Sequence, residues 1–392
     1  MIGRQKLSNP TPDFEIYQYI WMRIILRIMK LLVLAGGTGS RFGGIKQLAS
    51  VGAAGETLLE YTIYNALSAG FDSIVFLIRR EMEEDFRARI LGRLPGGIPV
   101  ELAYQDMLSH VPAEVAGELE TWLRSGGRKK PWGTGHALLC ARRCLEGDTA
   151  PGEETGGAEV SAGGDAFAVV NADDFYGKSP FEAIHDFFAA KERRGAEDAK
   201  AKVQESGARA AELGAATAES DSGAPATGSQ FCLAAYRLDS VVPRRGSVSR
   251  ALCTVGAGRT LVKITEHVRI ERENGRIVSR MPDGSAQELD PAELVSMNIW
   301  GLDRGVFAAA KTLFGLFVAN PENWAKGEFY LPAIVDSMIN VGSATVTALP
   351  VAEQYFGLTN PEDLAGAREH IAALTAQGVY PSPLWKGFEE DR

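Results

Sequence analysis

Residues 31–46 read Leu31-Leu-Val-Leu-Ala-Gly-Gly-Thr-Gly-Ser-Arg-Phe-Gly-Gly-Ile-Lys46. The apolar residues at the start of this stretch predict a strand that is buried on both faces. The glycines that follow permit positive φ angles and close backbone approach, so that successive N–H groups can converge on phosphate oxygens. Two nearby cations would offset the charge of a phosphate. The residues of this predicted anion-binding turn are Gly36, Gly37, Gly39, Arg41 and Lys46.

Two better-known phosphate-binding turns do not fit this stretch. The P-loop requires Gly-Lys-Ser/Thr, but Gly44 is followed by Ile45. The dinucleotide-binding pattern, started at Gly37, requires its third glycine where Phe42 stands. The turn is therefore of another kind.

The segments that follow alternate between runs typical of strands and runs typical of helices. This order predicts an α/β fold with a mostly parallel, mixed sheet covered by helices on both faces, and ligands at the carboxyl ends of the strands. Strands are predicted at residues 73–78, 100–105, 166–171, 231–237, 261–266, 296–302, 344–349 and 355–358, and helices at residues 81–91, 134–145, 180–191, 306–318, 329–339 and 361–377.

The composition is that of an ordinary globular protein. Of the 392 residues, 45% are hydrophobic and 23% are charged, which argues against a wholly disordered or coiled-coil chain. A net charge of −9 gives no long-range attraction for nucleic acid or for an anionic membrane. The four cysteines include no C-x-x-C pair, so they fit neither a disulfide framework nor a zinc ribbon. We therefore expect reduced thiols in a cytoplasmic protein.

Three segments are expected to lie outside the core of a domain that spans residues 29–392. In residues 1–28, Arg23 and Arg27 interrupt an apolar run that is too short to cross a membrane. A disordered extension, an amphipathic helix and a wrongly assigned start before Met29 are all consistent with this run. The inserts 147–164 and 193–230 contain few large apolar residues, so we expect them to be mobile, with a fraying helix in part of the second.

Two further motifs carry polar residues at the predicted ligand-binding edge. In Val169-Val-Asn-Ala-Asp-Asp-Phe-Tyr-Gly177, Asp173 and Asp174 follow an apolar strand. This position suits a hard cation that shares phosphate oxygens, and Mg²⁺ is the expected ion. For Asp174, a water-mediated contact to the ion and a cap of the next turn are equally good interpretations. Pro131-Trp-Gly-Thr-Gly-His-Ala137 begins a helix, in which His136 fits capping or packing better than ligand binding.

Residues 31–46 resemble the opening signature of the sugar-phosphate nucleotidyltransferases, or NDP-sugar pyrophosphorylases. The shared pattern is a strand, Gly-Gly-x-Gly-x-Arg, a loop and Lys, although Ile45 stands where the family usually has Pro. The resemblance covers most of residues 29–370, and it implies a Rossmann-like fold of the nucleotide-diphospho-sugar transferase type. It also implies that the glycine turn wraps the nucleotide, that Arg41 meets the β and γ phosphates, and that Lys46 lies near the α phosphate.

The same resemblance assigns roles to the other two motifs. The loop at Gly133 and Thr134 resembles the second nucleotide loop of the family, which contacts the base or the ribose. Asp173 matches the Asp that holds the metal ion in the family. A second metal ligand would be Asn360 or Thr359, although Asn360 before a proline also fits a simple helix N-cap.

The second half of the chain resembles the part of the family that binds the sugar. A glycine loop, a carboxylate and an amide follow in the family's order, and carboxylate and amide groups suit vicinal hydroxyls. His267 stands where several members carry a Lys against the phosphate of the sugar, so Lys263 or Arg250 would be the alternative. The residues of the implied sugar pocket are Gly246, Glu266 and Asn298.

These features predict transfer of a nucleoside monophosphate from an NTP to a sugar 1-phosphate, with Mg²⁺ as cofactor and release of pyrophosphate. The acceptor phosphate is already an anionic nucleophile, so positioning and charge neutralisation by Arg41, Lys46 and Asp173 suffice. Alternatives are transfer to phosphocholine or to a pterin, a glycosyltransferase, and a non-catalytic nucleotide-binding regulatory protein. Arg41 and Lys46 argue against the glycosyltransferase, because its sugar-nucleotide donor has no γ phosphate.

Overall fold

The structure is a computed structural model, and it describes residues 29–37, 49–146, 166–212, 228–243, 246–281, 284–358 and 362–388. Several sequence-based predictions lie outside the described residues. They are the extension 1–28, the insert 147–164, part of the insert 193–230, and the predicted site residues Gly39, Arg41, Lys46, Thr359 and Asn360.

Four parallel strands form the centre of the sheet. They are β1 (Lys30–Leu34), β2 (Ser73–Ile78), β3 (Val100–Tyr104) and β4 (Phe167–Asn171), in the order β3-β2-β1-β4. The side chains of β1 alternate between two hydrophobic cores, with Leu31 and Val33 in one and Leu32 in the other. This strand is therefore buried on both faces, as its apolar sequence predicts.

Antiparallel strands extend the sheet beyond β4. The strand β11 (Leu294–Leu302) pairs with β4 and leads to β7 (Ser247–Val255), β8 (Leu261–Glu273), β9 (Arg276–Arg280) and β10 (Ala286–Leu289). A branch from β11 contains β6 (Ser229–Arg237), which pairs in parallel with β12 (Ala344–Val351). A separate small sheet joins β5 (Asp174–Phe175) to β13 (Phe356–Gly357).

Helices cover both faces of the sheet. The helices at residues 58–68, 83–89 and 179–212 contribute to the core on one face, and those at residues 134–140, 306–319 and 331–340 contribute to the core on the other. None of the described helices combines the length and the apolar character needed to cross a bilayer. In chain order the helices are α1 (Leu58–Ser68), α2 (Glu83–Arg89), α3 (Ala113–Arg124), α4 (Thr134–Cys140), α5 (Arg142–Glu146), α6 (Ser179–Glu212), α7 (Leu238–Val241), α8 (Val306–Ala319), α9 (Glu322–Lys326), α10 (Leu331–Asn340) and α11 (Asp363–Ala376).

The predicted fold class is confirmed, but several details differ, among them the helix α3 (Ala113–Arg124), which was not predicted. The sheet is mixed and parallel at its centre, but the hairpin strands β7, β9 and β10 were not predicted. The side chains of β10 are mostly exposed and those of β7 mostly half-buried, so neither strand has the regular alternation that marks a strand with one buried face, and β9 has only a short buried run of three residues. The helix α6 continues to Glu212 rather than ending near residue 191, because the Ala/Glu/Lys-rich start of the second insert prolongs it.

Candidate active site

The first predicted nucleotide residues lie at the carboxyl edge of the parallel strands. Gly36 and Gly37 follow β1 directly. A methyl group on Gly36 would lie 3.3 Å from the side-chain oxygen of Gln105, whereas one on Gly37 would meet no described atom within 4 Å. A side chain at Gly36 would therefore contact Gln105, whereas one at Gly37 would have space with respect to the described part of the chain.

Gln105, which the sequence analysis did not identify as a site residue, contacts both predicted nucleotide loops. It follows β3, its Nε2 donates to the carbonyl of Gly133 at 3.0 Å, and its Oε1 lies beside Gly36. The Nδ1 of His136 lies 3.4 Å from the same Nε2, and the other ring nitrogen lies 3.0 Å from the carbonyl of Ser109. Burial lowers the pKa of His136 to about 4. The neutral ring therefore packs behind Gln105, as the preferred interpretation of His136 predicted.

The loop at Gly133 is fixed by the segment that begins α10. Gly133 has a φ of 113°, and a Cβ on it would lie 2.7 Å from the carbonyl oxygen of Phe329. The hydroxyl of Thr134 accepts a hydrogen bond of 2.9 Å from the backbone N–H of Leu331. Only glycine fits at residue 133, because both the backbone angle and the space exclude a side chain.

The buried Arg128 holds the same loop from below. Its guanidinium donates to the carbonyls of Lys130, Pro131 at 2.8 Å and Gly327 at 2.7 Å. It also lies over the ring of Trp132, 4.8 Å from the centroid. Five fixed N–H donors make arginine suited to tying several carbonyls together. Arg128 therefore acts on the loop geometry and was not foreseen from the sequence.

The two carboxylates after β4 have different surroundings. Asp174 is buried, and its oxygens accept hydrogen bonds from the hydroxyl of Tyr355 at 2.7 Å, the amide of Asn171 at 2.9 Å and the hydroxyl of Tyr176 at 3.3 Å. Burial raises the pKa of both tyrosines well above the ordinary value, so both stay protonated and donate. Asp173 is half-buried. Asp174 therefore supports the strand end, and Asp173 is the candidate metal ligand.

Asn298 belongs to the same hydrogen-bond network. It lies in a bulge of β11, where the register with β6 shifts, and it has a φ of 61°. Its Nδ2 donates to the side-chain oxygen of Asn171 at 2.9 Å, and its Oδ1 accepts from the indole of Trp300 at 3.2 Å. The structure therefore brings Asn298 to the end of β4, next to the residues that hold Asp174.

Glu266 and Gly246 are not brought together. Glu266 on β8 pairs with Ala251 on β7, and Ala251 pairs in turn with Ser296 on β11. Gly246 precedes β7, and five residues of extended chain place it about 17 Å along the strand from Ala251. Partial burial raises the pKa of Glu266, with Arg250 acting in the opposite direction. The small residue next to Glu266 is thus Ala251, and the row Ser296–Ala251–Glu266 crosses three strands.

The three residues considered for the phosphate of the sugar, Lys263, His267 and Arg250, lie on the face of β7 and β8 opposite Glu266. Residues 263 and 267 on β8 point to the face opposite Glu266, and Arg250 pairs with His267. The Nδ1 of His267 lies 2.8 Å from the hydroxyl of Ser279. The guanidinium of Arg250 lies over the ring of Tyr355, 5.7 Å from the centroid. Among the three, Arg250 is therefore the one associated with the Asp174 network.

The comparisons with known proteins agree with the opening motif. The family model of the MobA-like NTP transferase domain matches residues 31–105. A putative glucose-1-phosphate thymidylyltransferase from Bacillus anthracis, solved with a sucrose, is 14% identical with a TM-score of 0.49, over 88% of this chain and 95% of that chain. The inositol-1-phosphate CTP transferase from T. maritima is 12% identical with a TM-score of 0.46, over 88% and 96%. No curated protein sequence matches the chain. The resemblance to the nucleotidyltransferases is thus confirmed for residues 31–105, the part of the chain that contains the glycine-rich turn and the strands β1 to β3.

Proposed function

We propose that this protein transfers a nucleoside monophosphate from an NTP to a sugar 1-phosphate and releases pyrophosphate. The observation that carries the proposal is the shared edge formed by Gly36, Gly37, the Gln105–Gly133 contact and Asp173. The ends of β1 and β4, which are more than 100 residues apart in the chain, pair there through Leu34 and Asn171, at the carboxyl edge of the parallel strands, where α/β sheets bind nucleotides.

The residues present fit a magnesium ion that is shared with the substrate. Among the described residues, no three His, Cys, Asp or Glu side chains are grouped to hold a metal ion. Mg²⁺ is commonly held by one or two carboxylates, with phosphate oxygens and water as its other ligands. Asp173 supplies one such carboxylate, whereas Asp174 is already occupied by three donors. When bound, the ion would neutralise charge on the phosphates of the NTP.

The reaction is an in-line displacement at the α phosphorus. An oxygen of the acceptor phosphate forms a bond to the α phosphorus, and the bond from that phosphorus to the oxygen bridging the β phosphorus breaks, which releases pyrophosphate. No proton has to be removed from the acceptor phosphate. Arg41 would bind the departing pyrophosphate and Lys46 the α phosphate, while the glycine backbone orients the triphosphate.

The acceptor would lie over the antiparallel strands next to β4. Asn298, Ser296 and Glu266 offer amide, hydroxyl and carboxylate groups, which suit the hydroxyls of a sugar. The small Ala251 between Ser296 and Glu266 leaves room above the sheet. Arg250 lies on the opposite face of β7, over the ring of Tyr355, and its guanidinium donates to the backbone carbonyls of Val241 and Ser249, so we do not assign it to the phosphate of the acceptor.

A cationic acceptor such as phosphocholine is the second candidate. Tyr330 exposes 49% of its surface, and partial burial, a hydrogen bond with Glu328 and the nearby charge of Glu266 together raise the pKa of its hydroxyl to about 12. A carboxylate beside an exposed aromatic ring also suits a quaternary ammonium group. The acceptor matrix described next separates the two candidates.

The test is Mg²⁺-dependent release of pyrophosphate from each NTP in the presence of sugar 1-phosphates, inositol phosphate or phosphocholine. We expect release with one NTP and a sugar 1-phosphate, and a loss of several orders of magnitude in Asp173→Ala. Asp186→Ala is the matched control, because that carboxylate is on the exposed side of α6 and its side chain is 83% exposed. Pyrophosphate release by Asp173→Ala at the wild-type rate would refute the site. No pyrophosphate release by the wild type with any acceptor would refute the activity.

A further inference from the structure

A cation outside the predicted motifs lies at the carboxyl edge of the parallel strands, here called the nucleotide edge. Arg79 directly follows β2, between the ends of β1 and β3. A methyl group on Gly36 would lie 3.9 Å from its Cγ, and the side-chain oxygen of Gln105 borders the same glycine. The side-chain stem of Arg79 therefore lies next to Gly36 and Gln105, two residues of the nucleotide edge.

The guanidinium of Arg79 is oriented but only partly used. One terminal nitrogen donates to Glu81 at 2.5 Å, which fixes the direction of the planar group. Its Nε is buried and has no hydrogen-bond partner among the described residues. A buried N–H without a partner is costly, so such groups usually have a ligand or a water. The neighbouring Arg80 differs, because it is exposed and lies over the ring of Tyr104.

The order of the strands decides which part of a nucleotide Arg79 meets. Asp173 follows β4 and Arg79 follows β2, so two strand spacings, about 10 Å, separate the ends of these strands. Gly36 and Gly37, which follow β1, lie between them. With the phosphates at Asp173 and the glycine turn, the nucleoside extends over β2 and β3. Arg79 and Gln105 then face the base, at the far end from the metal ligand.

We infer that Arg79 reads the base of the NTP and selects a keto base, namely guanine, uracil or thymine; this inference rests on the proposed function. Arginine can only donate, and a carbonyl oxygen offers it two lone pairs. The Nε2 of Gln105 is committed to Gly133, so its Oε1 is the group that can accept from the base. A carbonyl beside a ring N–H matches this donor and acceptor pair. Adenine and cytosine carry an amino group beside an unprotonated ring nitrogen.

The test is calorimetric binding of GTP, UTP, dTTP, ATP and CTP, with inorganic tripolyphosphate as a probe without a base. We expect a keto NTP to bind best and Arg79→Ala to weaken its binding about tenfold or more, the loss typical of a specific base contact. Tripolyphosphate should bind Arg79→Ala and wild type equally, which also shows that the variant is folded. Arg79→Lys keeps the charge without the fork and should lose most of the preference. Arg80→Ala is the matched control.

Three results would overturn the inference. They are preference of the wild type for ATP or CTP, an equal loss of tripolyphosphate and NTP binding in Arg79→Ala, and unchanged binding in that variant. The base preference is measured without turnover, so failure of the proposed reaction is distinguishable. Base-selective binding that depends on Arg79, without pyrophosphate release, would refute the reaction and support the role of Arg79.

Discussion

The buried carboxylate of Asp174 provides a quantitative test of the site. Tyr355→Phe removes the hydroxyl that donates to Asp174 at 2.7 Å and leaves the ring in place. Hydrogen bonds to charged groups contribute about 1.5–3 kcal/mol, and a buried acceptor that loses a donor is costly. Asp174 retains the amide of Asn171 and the hydroxyl of Tyr176. We therefore expect the free energy of unfolding to fall by about 2 kcal/mol in urea titrations followed by tryptophan fluorescence.

Tyr236→Phe is the matched control for this loss. Its hydroxyl is also buried and donates at 2.7 Å, but to the neutral backbone carbonyl of Tyr176. A neutral hydrogen bond contributes about 1 kcal/mol, so this variant should lose about half as much as Tyr355→Phe. Equal losses of stability in the two variants, or a smaller loss in Tyr355→Phe, would show that the hydroxyl of Tyr355 does not stabilise a charged Asp174.

Two further predictions concern the second nucleotide loop. Gly133→Ala places a Cβ 2.7 Å from the carbonyl oxygen of Phe329 at a residue with positive φ, so we expect the affinity for NTP to fall at least about tenfold. The control is Gly117→Ala, in an open position of α3. This variant should bind NTP normally and should be up to about 1 kcal/mol more stable. The pKa of His136 is lowered to about 4 in the folded protein, so the unfolded chain binds this proton more readily. The neutral ring therefore contributes about 3 kcal/mol to the free energy of unfolding above pH 6.5, and this contribution is lost as the pH falls toward 4. In urea titrations at pH 7 and 4.5, His136→Gln should lack this part of the pH dependence, and an unchanged slope would contradict the assignment.

Local patterns in the sequence predicted the parallel strands and their ends, although not the hairpin strands β7, β9 and β10. The apolar run before Gly36 and the run before Asp173 place both residues at the edge of the sheet, because strand direction and burial follow from short segments. Gln105 and Arg79 were not recognised as site residues. Their importance comes from Gly133 and Gly36, which are distant in the chain, and each residue alone resembles an ordinary solvated strand end.

The acceptor side could not be predicted to the same detail, because pairing registers are not visible in the sequence. The order of a glycine, a carboxylate and an amide suggested Gly246 beside Glu266, whereas the register places Ala251 there. The bulge at Asn298 likewise shifts the register of β11 against β6. Between Ser296 and Trp300, β11 advances by four residues while β6 advances by two, and motif order does not reveal such a shift, so it leaves the pocket undetermined.

The bulge at Asn298 also links the two halves of the candidate site. A left-handed backbone is tolerated by Asn better than by most residues, and such a conformation persists where surrounding contacts determine it. Here the contacts are two hydrogen bonds: the side-chain amide of Asn298 donates to Asn171, and the indole N–H of Trp300 donates to Asn298. Asn171 in turn donates to Asp174. The shape of the acceptor side therefore depends on the same hydrogen bonds that support the strand end at Asp173, so a change at Asn298 acts on both halves.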